Sequence, residues 1–157
     1  MNISQLIDED HVLCCPDVAS KKRLLEVVSE LLAVGLQHIS VHEIFESLIN
    51  REKLGSTGLG KGVAIPHGRI AALEQPVCAF IRLEEAIEFD ATDGQPVDLV
   101  FALLVPEEST EEHLQVLSLI AELFSDQDFC SGVRGCRDRD CLLQLLHNRR
   151  DIQQIPA

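Results

Sequence analysis

The chain has 157 residues, of which 25% are charged and 46% hydrophobic, a composition typical of one folded domain with a sizeable core. Lys and Arg number 13 against 26 Asp and Glu, and the resulting net charge of −13 disfavours duplex nucleic acid as a partner. Trp and Tyr are absent, which also removes the best side chains for stacking on single-stranded bases. No apolar run approaches the roughly 20 residues of a membrane-spanning helix, and the N-terminus does not resemble a secretory signal. A cytoplasmic protein without membrane insertion is therefore expected.

Two helices are predicted in the first third of the chain, after a short apolar piece at His11–Cys15. Ser20 is placed to cap a helix whose leucines and valines recur at helical spacing until Gly35 ends it. Ser40–Glu43 has the form of a capping box, in which the serine and the glutamate satisfy free N–H groups at a helix start. This box predicts a second helix that ends near Gly55.

Strands are predicted in the middle of the chain. The glycine-rich stretch Gly55–Gly62 indicates a loop, which leads into a short strand with β-branched residues at Val63–Ile65. Two longer strands are predicted at Val77–Leu83 and Val97–Val105. Because the second of these is almost continuously apolar, it should be buried on both faces at the centre of a sheet.

Helices are predicted for the remainder. Ser109–Glu112 is another capping box, and it opens a helix that should be mostly buried. Its apolar stripe is predicted to be widened by a second set of apolar residues: the stripe is Leu114, Leu117, Ala121 and Phe124, and the residues that widen it are Val116, Ile120 and Leu123. A short helical piece around Phe129 and a last leucine-rich helix follow. Since no repeat or linker divides the chain, residues 1–157 are predicted to form a single α/β domain in which helices cover a mixed β-sheet.

The six cysteines are predicted to be core thiols rather than a disulfide framework. Cys14 and Cys15 are adjacent in sequence, and Cys78 lies in an apolar run. The alternative is a metal site, although no CxxC pair supports it. Its ligands would be Cys130, Cys136, Cys141 and His147.

The glycine-rich stretch partly matches a nucleotide-binding loop, because Gly55–Lys61 fits the pattern G-x-x-x-x-G-K. The next residue is Gly62, where a Ser or Thr hydroxyl should hold magnesium, and the stretch joins a helix to a strand rather than a strand to a helix. An NTPase is therefore disfavoured. Turns that glycine permits can still aim several backbone N–H groups at one anion, so an anion site and a simple turn both remain open.

His67 is the leading catalytic candidate. It follows Pro66, which stiffens its backbone, and Gly68 after it leaves space for another molecule. A neutral imidazole can form a covalent intermediate, and His113, near the start of a predicted helix, is a candidate neutral hydrogen-bonding partner. The alternative for any single histidine is that it has no catalytic role and is a solvated or structural residue. That interpretation is preferred for His11, His38, His42 and His147.

Two blocks of sequence resemble a known family. They are NREKLGSTGLGKGVAIPHGR (Asn50–Arg69) and QPVDLVFALLVPEESTEEHLQVLSLIAELFSD (Gln95–Asp126). Both are similar to the IIA proteins of the bacterial phosphotransferase system, fructose/mannitol type, and the likeness extends from about Ser20 to Asp126. The resemblance implies a single α/β domain in which helices flank a mixed sheet on both faces.

The resemblance also implies a phosphoryl-transfer site. His67 matches the histidine that accepts the phosphoryl group, His113 matches a second active-site histidine, and Arg51 matches an arginine beside them. The donor it implies is a small carrier protein phosphorylated on its own histidine, with neither metal nor cofactor. The positions expected to surround the phosphoryl group are Ser56, Thr57, Gly58 and Gly68.

Because the chain shows no fused transport domain, the phosphoryl group is expected to act as a switch. It would add about 1.5 to 2 negative charges and so select which transporters, kinases or enzymes the protein binds. The alternatives are a sugar-specific IIA component that passes phosphate to a separate transporter subunit, and a binding module that is never phosphorylated. Between Glu84 and Glu112 lie ten carboxylates and no Lys or Arg, which indicates that the donor approaches with basic residues.

Overall fold

The computed structural model describes residues 7–108 and 110–154. Within these ranges, no helix has both the length and the apolar character required to cross a membrane. The elements run in the order β1 (Ile7–Cys14), α1 (Lys21–Ala33), α2 (Val41–Lys53), β2 (Gly58–Gly60), β3 (Val63–Ala64), β4 (His67–Ile70), β5 (Val77–Ile87), β6 (Val97–Pro106), α3 (Thr110–Phe124), α4 (Gln127–Arg134) and α5 (Arg139–Gln154).

A mixed sheet lies at the centre of the molecule. Its strand order is β1-β5-β6-β3-β2, and β4 pairs with β6 further along the edge that β3 also uses. β1 runs parallel to β5, and β3 and β4 run parallel to β6, whereas the β5–β6 and β2–β3 pairs are antiparallel. The apolar strand β6 is thus central, as predicted, because it is hydrogen-bonded along both edges.

Helices cover both faces of this sheet, which confirms the expected architecture. Side chains alternate along β6, as the two-residue period of a strand requires. Phe101 and Leu103 pack into a cluster with apolar residues of α3, α4 and α5, whereas Val100 and Ala102 pack into a second cluster with residues of α1 and α2. Each face of β6 therefore anchors a separate core.

Serine caps start the first two helices, as predicted. The Ser20 hydroxyl accepts a hydrogen bond from the backbone N–H of Arg23, and the Ser40 hydroxyl accepts one from Glu43, each at 3.1 Å. Both bonds satisfy N–H groups that a helix start leaves without a partner. The predicted cap of α3, Ser109, lies outside the described residues.

The buried face of α3 differs from the prediction at two residues. Val116, Ile120 and Leu123 are buried, whereas Leu114 of the predicted stripe is 61% exposed and Ala121 is exposed as well. Apolar residues occupy more than one face of this helix, so periodicity alone could not select the face that packs. Packing against β6 decides the question: the prediction is confirmed for Phe124 and for the three residues that widen the stripe, and it is wrong for Leu114 and Ala121.

The cysteines require a second correction. Cys78 and Cys130 are buried thiols, as predicted, but Cys136 and Cys141 form a disulfide. The loop between α4 and α5 brings their Cα atoms to 5.5 Å, within the usual range for a disulfide. The spacing of the cysteines in the sequence does not reveal how this loop turns. The pairing uses two ligands of the alternative metal site, and among residues 7–108 and 110–154 no three His, Cys, Asp or Glu side chains are grouped to hold a metal ion.

Candidate functional site

His67 is the first residue of β4 and lies opposite Leu103 of β6 in the parallel ladder. Its Nδ1 lies 2.8 Å from the backbone oxygen of Ile65. Because a carbonyl oxygen can only accept, Nδ1 must carry the hydrogen. The other ring nitrogen, Nε2, then holds the free lone pair of the neutral ring. The fold therefore fixes both the orientation and the tautomer of this histidine.

The surroundings of His67 favour its neutral form. Burial lowers the pKa of His67 below its ordinary value of 6.5, and the positive charges of Arg51 and Arg69 lower it further. The Ile65 carbonyl and the Glu52 carboxylate act in the opposite direction without cancelling the shift. A neutral imidazole with a free lone pair is a nucleophile.

His113 of α3 lies beside His67, with the ring centroids 5.2 Å apart and the planes at 75°. Only 7% of it is exposed, and its Nδ1 has no hydrogen-bond partner among the residues that the structure describes. Burial, together with the charges of His67, Arg69 and Arg51, lowers the pKa of His113 to about 4. At neutral pH the ring is therefore uncharged, and its role as a hydrogen-bonding partner stays a prediction.

Two arginines provide the positive charge. Arg51 stands in the last turn of α2, and its Nη1 donates to the Gly55 carbonyl at 2.9 Å, which holds the guanidinium beside the site. Arg69 is an exposed residue of β4, two positions after His67. Sequence reasoning missed Arg69 as a site residue. The signal was present, because residues two apart on a strand share a face.

Two surface depressions meet at this cluster, and His67 and Arg51 line both. The first, of about 510 Å³, is also bordered by Asn50, Arg69 and His113. The second, of about 450 Å³, extends over the glycine loop (residues 55–58) towards α3. We call the four side chains at their junction the His67 cluster: His67, His113, Arg51 and Arg69.

The glycine loop is held from below by a buried carboxylate. Glu52 accepts a hydrogen bond from the Thr57 backbone N–H at 2.8 Å and another from the Thr57 hydroxyl at 2.7 Å. Lys21 of α1 pairs with the same carboxylate at 3.0 Å and also lies over the Phe89 ring. Both the hydroxyl and the N–H of Thr57 are thus bound within the protein.

The next residues of the loop are bound in the same way. Ser56 donates its hydroxyl hydrogen to the Phe89 carbonyl and accepts a hydrogen bond from the Gly58 N–H, each at 3.0 Å. A Cβ at Gly58 would lie only 2.7 Å from that of Ala91, so close packing explains the glycine. These donors do not point at an external anion in this conformation. A direct role of Ser56, Thr57 and Gly58 in binding phosphate stays a prediction.

Gly68 has a packing role. A Cβ built on this residue would collide with the Ser47 side chain of α2 and lie 3.3 Å from its backbone. The Ser47 hydroxyl donates to the Arg69 carbonyl at 3.0 Å, which fastens α2 to β4. The missing side chain of Gly68 therefore lets the helix that carries Arg51 approach the strand that carries His67. Gly68 also lines the first depression, and its place beside the phosphoryl group stays a prediction.

Comparison with known families identifies the class of protein. Residues 5–149 match the family described as phosphoenolpyruvate-dependent sugar phosphotransferase system, EIIA 2. The match extends over most of the chain, and it includes the whole His67 cluster. The chain belongs to this family, which confirms the resemblance seen in its sequence.

Within the family, the chain is similar to nitrogen regulatory proteins. It is 41% identical to the nitrogen regulatory protein of Pseudomonas aeruginosa, over 93% of this chain and 95% of that relative. The crystal structure of nitrogen regulatory protein IIA-Ntr from Neisseria meningitidis superposes with a TM-score of 0.85 at 45% identity, covering 92% of this chain and 98% of that one. The fold is shared with Escherichia coli enzyme IIA for mannitol, whose structure was solved in complex with phosphorylated enzyme IIB. That superposition has a TM-score of 0.76 at 21% identity and covers 92% of this chain and 100% of that one.

Proposed function

We propose that this chain accepts a phosphoryl group on His67 from a histidine-phosphorylated small carrier protein, and that its phosphorylation state regulates partner proteins. The observation that supports this most is the hydrogen bond from His67 Nδ1 to the Ile65 carbonyl. It leaves Nε2 as the nucleophile in a depression bordered by two arginines. The proposal treats residues 1–157 as one IIA domain in the cytoplasm.

Transfer proceeds as an exchange of one P–N bond for another. The Nε2 lone pair of His67 attacks phosphorus, and the bond to the donor nitrogen breaks, so the electron pair returns to the donor imidazole. No proton has to move to or from His67 in this step, because Nδ1 keeps its hydrogen and its hydrogen bond to the Ile65 carbonyl throughout. Catalysis then depends on aligning the two rings and on neutralising the charge of the equatorial oxygens.

The other members of the His67 cluster supply that neutralisation. Arg51 and Arg69 bring permanent positive charge, and a guanidinium can bind two phosphate oxygens at once. His113 brings an uncharged ring 5.2 Å from that of His67, suited to donating a hydrogen bond to a phosphoryl oxygen. Because both histidines stay neutral, the positive charge at the site comes from groups that do not compete for the phosphoryl group.

Exposed leucines around the cluster suit the docking of a donor protein. Leu54 borders the first depression and is 84% exposed, whereas Leu59 and Leu114 border the second and are 50% and 61% exposed. Scattered exposed leucines are common, but three around one charged site form an apolar border that a partner can cover. Glu107, Glu108 and Glu111 are exposed near the start of α3 and suit a donor with basic residues.

The similarity to nitrogen regulatory proteins favours a regulatory role over the two alternatives. A sugar-specific component would pass the phosphoryl group on to a transporter subunit, and a binding module would never be phosphorylated. The phosphoryl group adds about 1.5 to 2 negative charges at the junction of the two depressions. That change in charge can determine which transporter, kinase or enzyme binds this face.

The experiment that tests the proposal is intact-mass spectrometry after incubation with phosphoenolpyruvate and the cognate phosphocarrier chain. We expect a gain of one phosphoryl group by the wild type and none by His67→Ala. His42→Ala is the matched control, because His42 is an exposed histidine remote from the cluster and should leave the gain unchanged. A His67→Ala variant that still gains the phosphoryl group would overturn the proposal.

A further inference from the structure

Four of the six cysteines lie where the end of β1 meets the loop after α4 and the first turn of α5. The sulfurs of Cys14 and Cys15 are 2.8 Å apart, and each lies 4.0 Å from the carbonyl oxygen of Cys136. Cys136 is joined to Cys141 by the disulfide. We call Cys14 and Cys15 the thiol pair. A pair of free thiols in contact with a disulfide-bonded residue has no role in the phosphoryl transfer described above.

An arginine is directed at one member of the pair. Arg82 Nη1 donates to Cys15 Sγ at 2.9 Å, and Arg82 Nη2 donates to the Arg134 carbonyl at 2.6 Å, which fixes the guanidinium in place. The guanidinium thus places a positive charge and an N–H donor directly against the Cys15 sulfur. Glu84 pairs with the same guanidinium at 3.7 Å, from the exposed side.

The backbone presents Cys15 in an unusual way. Its φ is +64°, a left-handed conformation that residues other than glycine adopt infrequently. The Cys15 N–H donates to the Arg82 carbonyl at 2.7 Å, so the turn is tied to the strand that carries the arginine. Strained backbone of this kind is concentrated at functional sites. The two bonds between Cys15 and Arg82 hold the sulfur and the guanidinium together.

The second thiol is kept protonated. Burial raises the pKa of Cys14 to about 12, and the contact with Cys15 and the charge of Asp138 act in the same direction, against the charge of Arg82. Cys14 can then donate its S–H towards the Cys15 sulfur. The two thiols differ in role, since one has donors directed at its sulfur and the other acts as a donor.

We propose that the thiol pair and the Cys136–Cys141 disulfide form a thiol–disulfide exchange site. The Cys15 sulfur attacks Cys136 Sγ, the Cys15–Cys136 bond forms as the Cys136–Cys141 bond breaks, and Cys141 leaves as the thiolate that takes up the proton lost by Cys15. One disulfide is present before and after, so no oxidant or reductant is consumed. Cys136 is the residue attacked because its carbonyl oxygen lies 4.0 Å from both sulfurs, and the leaving residue, Cys141, is partly exposed.

The exchange changes which parts of the fold are cross-linked. The original disulfide closes a short loop, because its cysteines are five positions apart. The exchanged disulfide instead joins the end of β1 to the start of the segment before α5. That segment follows Arg134, whose side chain binds Asp98 and the Lys61 carbonyl. The cross-link would therefore restrain the contact between β1 and this part of the molecule.

The test is disulfide mapping of the full chain, purified without reductant at about pH 5 and moved anaerobically to about pH 8, where thiolate attack is faster. Samples are quenched in acid, alkylated under denaturing conditions and digested for peptide mass spectrometry. We expect four alkylated cysteines at every time point and a Cys15–Cys136 cross-link that grows after the pH change. Cys15→Ser should keep only the original disulfide, whereas the matched variant Cys14→Ser should still form the cross-link.

Arg82→Lys provides a second test. A lysine keeps the positive charge but cannot reproduce both guanidinium hydrogen bonds, one to Cys15 Sγ and one to the Arg134 carbonyl. The cross-link should then form at least about threefold more slowly, with the circular dichroism of the folded protein unchanged. Six alkylated cysteines in the unreduced protein, no Cys15–Cys136 peptide in the wild type, or the same cross-link in Cys15→Ser would each overturn the proposal.

Discussion

The glycine loop and the His67 cluster lie side by side, but they use their polar groups in opposite ways. In the loop, the donors of Thr57 are bound by Glu52, with distances of 2.7 and 2.8 Å. In the cluster, Arg51 and His67 line two depressions, and His113 Nδ1 has no partner among the described residues. The loop is therefore a support, and the cluster is where we propose that the chemistry takes place. Variants of the loop should change stability more than transfer rate, and variants of the cluster should do the reverse.

The largest effect is expected at Glu52. Glu52→Ala removes both acceptors of Thr57 and the nearer of the two carboxylates that pair with Lys21, which leaves the buried donors of Thr57 without these hydrogen bonds. The free energy of unfolding should fall by about 3 kcal/mol, measured by urea titration. The matched variant is Glu46→Ala, an exposed glutamate on the same helix, which should change stability by no more than about 0.5 kcal/mol. Equal stability of the two variants would mean that the loop does not depend on this carboxylate.

Arg51→Lys should affect rate rather than stability. A lysine keeps the positive charge but cannot bind two phosphate oxygens in a fork, so single-turnover transfer should slow about tenfold, or about 1.4 kcal/mol. Lys53→Ala is the control, because this exposed cation in the same helical turn lies outside both depressions. A rapid-quench measurement that gives the same rate for Arg51→Lys and wild type would remove Arg51 from the chemistry.

His113 gives a pH-dependent prediction. Its pKa is about 4 in the folded protein and 6.5 in its ordinary state, so the unfolded chain binds the proton more tightly. Stability present above about pH 6.5 is therefore lost as the pH falls towards 4. The urea midpoint should decrease on acidification more steeply in wild type than in His113→Gln. The variant should keep part of the decrease, because the pKa of His67 is lowered as well. Parallel curves would show that His113 is not buried as a neutral ring.

The smallest effect concerns the acidic surface beyond the cluster. Replacing Glu107, Glu108 and Glu111 together by glutamine should lower the rate of association with the phosphocarrier by about threefold at low salt, with little change in dissociation. The difference should vanish near 0.5 M salt, where screening shortens to a few Å. If stopped-flow association rates do not depend on salt, these carboxylates do not attract the donor and serve only to keep the protein soluble.

Local signals in the sequence predicted much of the fold. Sequence patterns predicted the helix caps at Ser20 and Ser40 and the central strand β6, because each of these features depends on residues close together in sequence. The short strands β2 and β4 were missed, since segments of three or four residues are held as strands by pairing with other strands rather than by their own propensity. The prediction for α3 is wrong at Leu114 and Ala121 for a related reason: packing against the sheet selects which apolar residues of the helix are buried.

The candidate site shows the same division. His67, His113 and Arg51 were found from a motif and a resemblance, and the structure brings them together. The role of Glu52 could not be foreseen, because a glutamate in a helix is usually exposed and only the fold buries this one. The disulfide likewise depends on how a loop turns, which residue spacing does not reveal.

The central claim is that the fold fixes the tautomer of His67 and so selects Nε2 as the phosphoryl acceptor. The most direct measurement is nitrogen NMR of the phosphorylated protein with 15N-labelled histidine. The account predicts a single phosphorylated ring, that of His67, with phosphorus on Nε2 and the hydrogen retained on Nδ1. Phosphorus on Nδ1, or on the ring of His113, would contradict it.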